Sequence, residues 1–265
     1  MECRNCQMPL SKSQRYCFEC GARVIKNRLT IKVLFQQINA EFMSVDNKLL
    51  KTFIHLFTKP EAVINGFIEG TRKKYINVIQ YFAIGLTLLG VQVFFMSNIF
   101  NDPELYKIQF LEAFANLPEQ KDNPFFNGNI NNSDDYNSLQ SLIFTLSIPI
   151  SAFTTWLAFR INGFRRFNFT EHVVINLYYG AQTVIVSAFI YITFLAFGIH
   201  FFTTATLIFI LTYIYFFYVL KRVFRTSFWS TLGSFLLSLI FISILVFVLM
   251  ILLSLMIVIY TKLIR

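Results

Sequence analysis

LGSFLLSLIFISILVFVLMILLSLMIVIY, residues 232–260, runs for 29 residues without a charged side chain. A helix needs about 20 predominantly apolar residues to cross a hydrocarbon core roughly 30 Å thick, so this stretch is long enough to span a bilayer and tilt. Four further stretches meet the same criterion, at about Val78–Phe100, Leu139–Phe159, Val173–Phe197 and Ile199–Leu220. The last two are separated only around Gly198, so they form a tight helical hairpin or else one interrupted pair. The composition agrees: 55% of residues are hydrophobic and 14% charged, where soluble domains carry about 25% charged residues. The expected fold class is therefore an all-α polytopic membrane protein with about five transmembrane helices, residues 78–265 forming the membrane domain.

Loop charges orient the spans, because Lys and Arg accumulate on the cytoplasmic side of short loops. Arg160, Arg165 and Arg166 lie between the second and third spans, and Lys221, Arg222 and Arg225 between the fourth and fifth. The loop between the first and second spans, 101–138, has two lysines against seven carboxylates and is rich in Asn, as expected outside. The start, MECRNC, is not followed by an apolar run of the kind found in cleavable signal peptides. The expectation is an integral inner-membrane protein with a cytoplasmic N-terminus and an extracytoplasmic C-terminus. Lys262 and Arg265 are the one departure from this charge pattern.

All four cysteines sit in residues 3–20, in the order Cys3, Cys6, Cys17 and Cys20, with C-x2-C-x10-C-x2-C spacing. Thiols stay reduced in the cytosol, so the cluster reads as a metal site before it reads as two disulfides. Two knuckles can converge four thiolates on one tetrahedral Zn2+. Gly21 suits the tight turn after the last cysteine. A redox or catalytic zinc centre is the alternative, but catalytic sites keep one coordination position open and here protein would fill all four. Residues 1–25 are expected to be a small zinc ribbon holding one structural Zn2+.

Residues 26–77 read as basic, amphipathic juxtamembrane helices. Ile31, Leu34, Phe35, Ile38 and Phe42 keep helical spacing, as do Leu49, Leu50, Phe53, Ile54 and Phe57. Asp46 is placed to cap the second helix, and Pro60 to open a third that ends near Gly70. Residues 1–77 carry 13 Lys and Arg against 6 Asp and Glu. Arg72, Lys73 and Lys74 form a basic cluster just before the first span. With Arg165, Arg166, Lys221, Arg222 and Arg225, they are expected to contact anionic lipid headgroups at the membrane surface. No aromatic platform for single strands is interleaved with these charges, so nucleic acid is not an expected partner.

Charged residues in the middle of a span would mark an ion path or a substrate site, and none lies there. The most irregular membrane segment is TLSIPISAFTTW, residues 145–156, where Pro149 removes a helix hydrogen bond and Ser147, Ser151, Thr154 and Thr155 are placed to compensate. Pro149 is a gate or a packed kink. Asn176 and Gln182, beside Gly180 and Ala181, line a polar face of the third span suited to interhelical packing. Glu171 and His172 begin that span beside three arginines. They admit an acid/base or anion-binding role, or simple helix capping by Thr170 with Glu171 in the first turn. His55 and His200 stand isolated and receive no role.

Several stretches carry a resemblance: CRNC with YCFECG, RLTIK at 28–32, FTKPEAVINGFIEGTRKKY at 57–75 and FNFTEHVVINLYY at 167–179. Together they resemble a family of bacterial membrane proteins of unknown function with an N-terminal zinc ribbon. Val78 stands near where that family would place a proline. The architecture, a cytoplasmic N-terminal part followed by five spans, is also similar to that of Yip1-like membrane proteins, which implies roles in membrane organisation or trafficking.

The functional expectation is a non-enzymatic membrane adaptor or scaffold that presents a cytosolic zinc ribbon to a cytosolic or membrane protein partner. The alternative is a transporter, channel or lipid-handling protein using the kink at Pro149 and the polar face of the third span. A membrane enzyme would rest on Glu171 and His172 alone.

Overall fold

The computed structural model describes residues 2–11, 13–22, 24, 48–100 and 133–264. The chain divides into two compact units, Met1–Asn47 and Lys48–Arg265. The expected helix through Ile31 and Phe42, the Asp46 cap and most of the acidic loop (residues 101–132) lie outside the described residues.

In the second unit the chain forms α1 (48–58), α2 (Pro60–Ile68), α3 (Val78–Asn98), α4 (Ser133–Ile161), α5 (Phe169–Ala196), α6 (Phe201–Phe224) and α7 (Phe228–Ile264). Helices α3 to α7 are the five long and apolar enough to cross a membrane. The all-α class holds: among the described residues β structure is limited to isolated bridge positions in the N-terminal unit, such as that between Glu2 and Pro9. At 37 residues, α7 is about 55 Å long, nearly twice the thickness of a hydrocarbon core.

Local chemistry sets the helix ends. Pro60 opens α2, where its missing N–H is no loss. The Asn77 side chain accepts the Ile79 N–H at 3.0 Å and starts α3. α5 begins two residues earlier than a Thr170 cap would place it. Asn168 is the cap, its side chain taking the Glu171 N–H at 2.9 Å while Glu171 takes the Asn168 N–H at 2.7 Å, a reciprocal capping box. Gly198, at φ 72°, ends α5 and lets the Ile199 N–H return to the Phe194 carbonyl at 2.9 Å, making the expected hairpin turn into α6.

The bundle is built around α5, half of whose span is buried, against 11% for α7. Small residues allow the close approach: a Cβ added at Gly85 of α3 would lie 3.3 Å from the Ala181 Cα, and one at Gly180 would meet Ile148 at 2.7 Å. This is the small-residue packing that membrane helices use in place of a hydrophobic driving force. The core gathers Tyr81, Phe159, Ile175, Tyr178, Val219 and Leu220.

α1 and α2 belong to the same core, since Leu56, Val63 and Ile64 are fully buried in it. The apolar stripe of α1 splits: Leu49 and Phe53 pack inward while Leu50, Ile54 and Phe57 remain exposed. The inward face is fixed by Thr52, whose buried hydroxyl donates to the Lys48 carbonyl at 2.7 Å and accepts the Ile76 N–H at 3.1 Å. Tyr81 of α3 stands level with Tyr178 and Gln182 of α5. α3 therefore starts about 9–15 Å deeper than α5 at 1.5 Å per residue, and α1 and α2 pack at that end, against α5 and α6.

Overpacking a tight helix contact costs about 1–3 kcal/mol. Gly85→Val is accordingly expected to lower the thermal midpoint in detergent micelles, whereas Gly90→Ala, with nothing within 4 Å of the new methyl, leaves it unchanged or raises it through helix propensity. Equal effects of the two would contradict the α3–α5 contact.

Candidate metal centre and the polar joints of the bundle

The N-terminal unit repeats one piece of backbone twice. The Cys3 N–H reaches the Met8 carbonyl at 2.8 Å and the Gln7 N–H returns to the Cys3 carbonyl at 2.8 Å; the Cys17 N–H reaches Ala22 at 2.8 Å and the Gly21 N–H returns to Cys17 at 3.0 Å. Each turn needs a left-handed residue after its second cysteine. Gly21 supplies it at φ 69°, and Gln7 occupies the matching place at φ 63°. A side chain at such a φ costs roughly 1–2 kcal/mol, which the first knuckle tolerates.

The two turns bring the four thiols together. All four Sγ atoms lie within 4.8 Å of one another, with Cys3–Cys20 at 3.6 Å and Cys6–Cys17 at 3.5 Å. A tetrahedral ion bound at about 2.3 Å needs S···S separations of roughly 3.8 Å, so the cluster fits a metal ion in size and in donor chemistry. Cys3 and Cys17 are buried; Cys6 and Cys20 are exposed. Without an ion, the thiols divide the charge unequally. The N–H groups of Cys6 and Asn5 hold Cys3 below the usual thiol range. Cys20 is drawn down to about 6, first by the Asn5 side chain and then by the Ala22 N–H. The Met8 N–H acts to lower Cys6, but Cys20, desolvation and the other two thiols outweigh it and push Cys6 up to about 12.

In the bundle, Gln182 is fully buried. Its Oε1 accepts the Tyr81 hydroxyl and its Nε2 donates to the Phe53 carbonyl at 3.3 Å. Asn176 accepts the Ser151 hydroxyl at 2.7 Å and donates to the His172 carbonyl at 2.8 Å. Thr155 Oγ1 stands 3.2 Å from His172 Nδ1. Pro149 lies on the exposed side of an unbroken α4. Ser147 and Thr155 donate to the carbonyls of Phe144 and Ser151. Glu171 and His172 do not form a pair: the exposed Glu171 carboxylate is committed to the capping box, while His172 turns inward between Phe159 and Phe224. His55, isolated in sequence, is 2.8 Å from the Tyr75 hydroxyl through Nδ1. Desolvation first, then Lys51, Lys59 and Lys74, hold its pKa below the ordinary value.

The basic loops share one end of the bundle with α2. Arg222 makes a two-bond pair with Glu61, at 2.6 and 3.0 Å. Arg166 reaches Glu69 at 3.7 Å, and Arg72 lies over the Phe67 ring at 4.1 Å. Arg225 ends α6 in the left-handed conformation. Arg165, Lys73 and Lys74 are exposed, and Lys221 lies 5.7 Å from the Phe228 ring. Arg222 is thus held by a carboxylate, a partner 161 residues away that sequence spacing could not reveal.

A family model described as "Protein of unknown function (DUF3667)" matches residues 46–90. That segment holds α1, α2, the lead-in to the first span and α3 as far as Gly90, and it includes the 57–75 stretch on which the family resemblance rests. No curated protein and no solved structure matches the chain.

Metal entry at pH 7 must displace the proton held on Cys6, because ligands bind as thiolates. Zinc affinity, measured by chelator competition, is expected to rise at least about tenfold per pH unit between 6 and 8, the slope for one released proton. A flat profile would contradict the charge division described above.

Proposed function

We propose that the chain is a non-enzymatic membrane adaptor whose cysteine cluster holds one structural Zn2+ and presents a rigid recognition surface to a protein partner. The carrying observation is the closed ligand set: four thiols within 4.8 Å of one another leave no coordination position for a substrate. The surface around the cluster supports the same reading. Tyr16 and Phe18, flanking Cys17, are 60% and 66% exposed, and exposed aromatic pairs are typical anchors of protein interfaces. Gln182, Asn176 and Tyr179 of α5 are each bonded to a neighbouring helix, which favours a packed anchor. The membrane is the cell's inner membrane, with the basic end of the bundle cytoplasmic and in contact with anionic headgroups. A cysteine replacing Arg165 would then be labelled by an impermeant maleimide only after lysis, and labelling in intact spheroplasts would contradict the orientation.

A second reading, a path for a polar solute, draws on one observation. The side-chain oxygens of Gln92 and Gln140 are buried without a partner, and both residues line a cavity of about 260 Å³ between α3, α4 and α5.

The two readings separate on paired variants. Tyr16→Ala with Phe18→Ala is expected to keep one zinc per chain and an inserted bundle, while copurification of a stoichiometric protein partner falls by about 30-fold, the loss of one hot spot of 2 kcal/mol. Gln92→Leu is expected to leave the partner bound. A cellular phenotype lost with Gln92→Leu and kept in the Tyr16/Phe18 variant would overturn the adaptor reading in favour of a path.

A further inference from the structure

A groove of about 470 Å³ runs along the bundle flank between α5 and α6. Val186 and Ile190 of α5 and Ile208 and Leu211 of α6 wall it, and at one end Phe57 of α1, packed on the Tyr215 ring, and Tyr218 line it. Its hydroxyls are already bonded. Thr183 donates to Gly180 at 2.9 Å, Ser187 to Val184 at 3.0 Å and Thr212 to Phe209 at 2.9 Å. Tyr215 donates to the Leu56 carbonyl at 3.1 Å and Tyr218 to that of Thr58 at 3.2 Å. The groove therefore offers surface and no directional bonds, which suits a hydrocarbon occupant.

Its length identifies which one. From Ile208 to Tyr218 the α6 axis rises about 15 Å, half of a hydrocarbon core of about 30 Å. The groove is one leaflet deep. Charge marks the headgroup end. Lys59, exposed, follows the Thr58 carbonyl to which Tyr218 is bonded, and Lys51 lies two turns earlier on α1. Among the described residues, the ion pairs are Arg166–Glu69 and Arg222–Glu61, and neither lysine is paired with a described carboxylate. We propose that this groove seats one acyl chain of an anionic phospholipid from the leaflet on the α1 side, with its phosphate at Lys59. The site lies within the bundle and does not depend on the cysteine cluster or on the adaptor reading.

The test uses the full chain in phosphatidylcholine nanodiscs containing a trace of phosphatidylglycerol or phosphatidylcholine with a diazirine midway along one acyl chain. After irradiation, adducts are mapped by mass spectrometry. Labelling is expected to concentrate several-fold on Val186, Ile190 and Leu211 over Leu236 and Ile240, exposed residues of α7. Phosphatidylglycerol should label about fivefold more than phosphatidylcholine, since one lysine near a membrane surface contributes about 1 kcal/mol. Ile190→Trp should reduce groove labelling to the α7 level, and Lys59→Gln should equalise the two lipids while preserving labelling. Equal labelling of groove and α7 in the unaltered protein would mean ordinary surrounding lipid only and would overturn the proposal. So would chain-to-chain crosslinks replacing lipid adducts in the groove, or equal labelling by the two lipids.

Discussion

Gln182 is a fully buried amide of α5, the helix around which the bundle is built, and its two bonds tie α1 and α3 to that helix. Unpaired polar groups cost several kcal/mol in a hydrocarbon setting because no water replaces the missing bond. Gln182 takes the Tyr81 hydroxyl from α3 and donates to the Phe53 carbonyl of α1, so one side chain of α5 holds two other helices. The same requirement recurs wherever the N-terminal part of this unit breaks its helices. Carbonyls at the end of α1 receive Tyr215 and Tyr218, and the carbonyl of Ile76 before α3 receives Tyr178. Carbonyls at helix ends have no intrahelical donor, and here α5 and α6 provide one. The segment receiving most of these bonds is the one the family model matches.

The cysteine unit follows a different principle. Among its described residues the buried cluster is Cys3, Leu10 and Cys17, little apolar surface to offset the entropy of ordering that segment. A metal ion held by the four thiols would add folding free energy there, as in small metal-dependent domains. The left-handed residues Gln7 and Gly21 allow both turns to point their thiols at one centre. One unit depends on thiolate chemistry and the other on lipid exclusion and small-residue packing.

What could be read from the sequence follows the range of each signal. Long apolar runs locate the five candidate spans, Gly198 locates the hairpin, and two Cys-x-x-Cys pairs locate the thiol cluster, because each signal is local. The α5 cap was legible too: Asn168-Phe169-Thr170-Glu171 has the spacing of a capping box, and a reading centred on Thr170 missed it. The joints were not legible. Thr52 looks like a polar interruption until the Ile76 N–H appears beside it, and Glu61 looks solvent-facing until Arg222 closes on it. Gln182 finds Tyr81 across 101 residues. Periodicity identified α1 as amphipathic but did not show that half of its apolar residues face other helices and half face outward.

Docking of α1 by Gln182 is the central claim for the bundle, and amide exchange across residues 48–58 tests it most directly. The account predicts protected amides there in the unaltered protein. In Gln182→Leu, which removes the side-chain bond from α5 to the Phe53 carbonyl, exchange should quicken across α1 while the middle of α5 stays protected. Exchange in α1 that is already fast in the unaltered protein, or identical in the two, would contradict it.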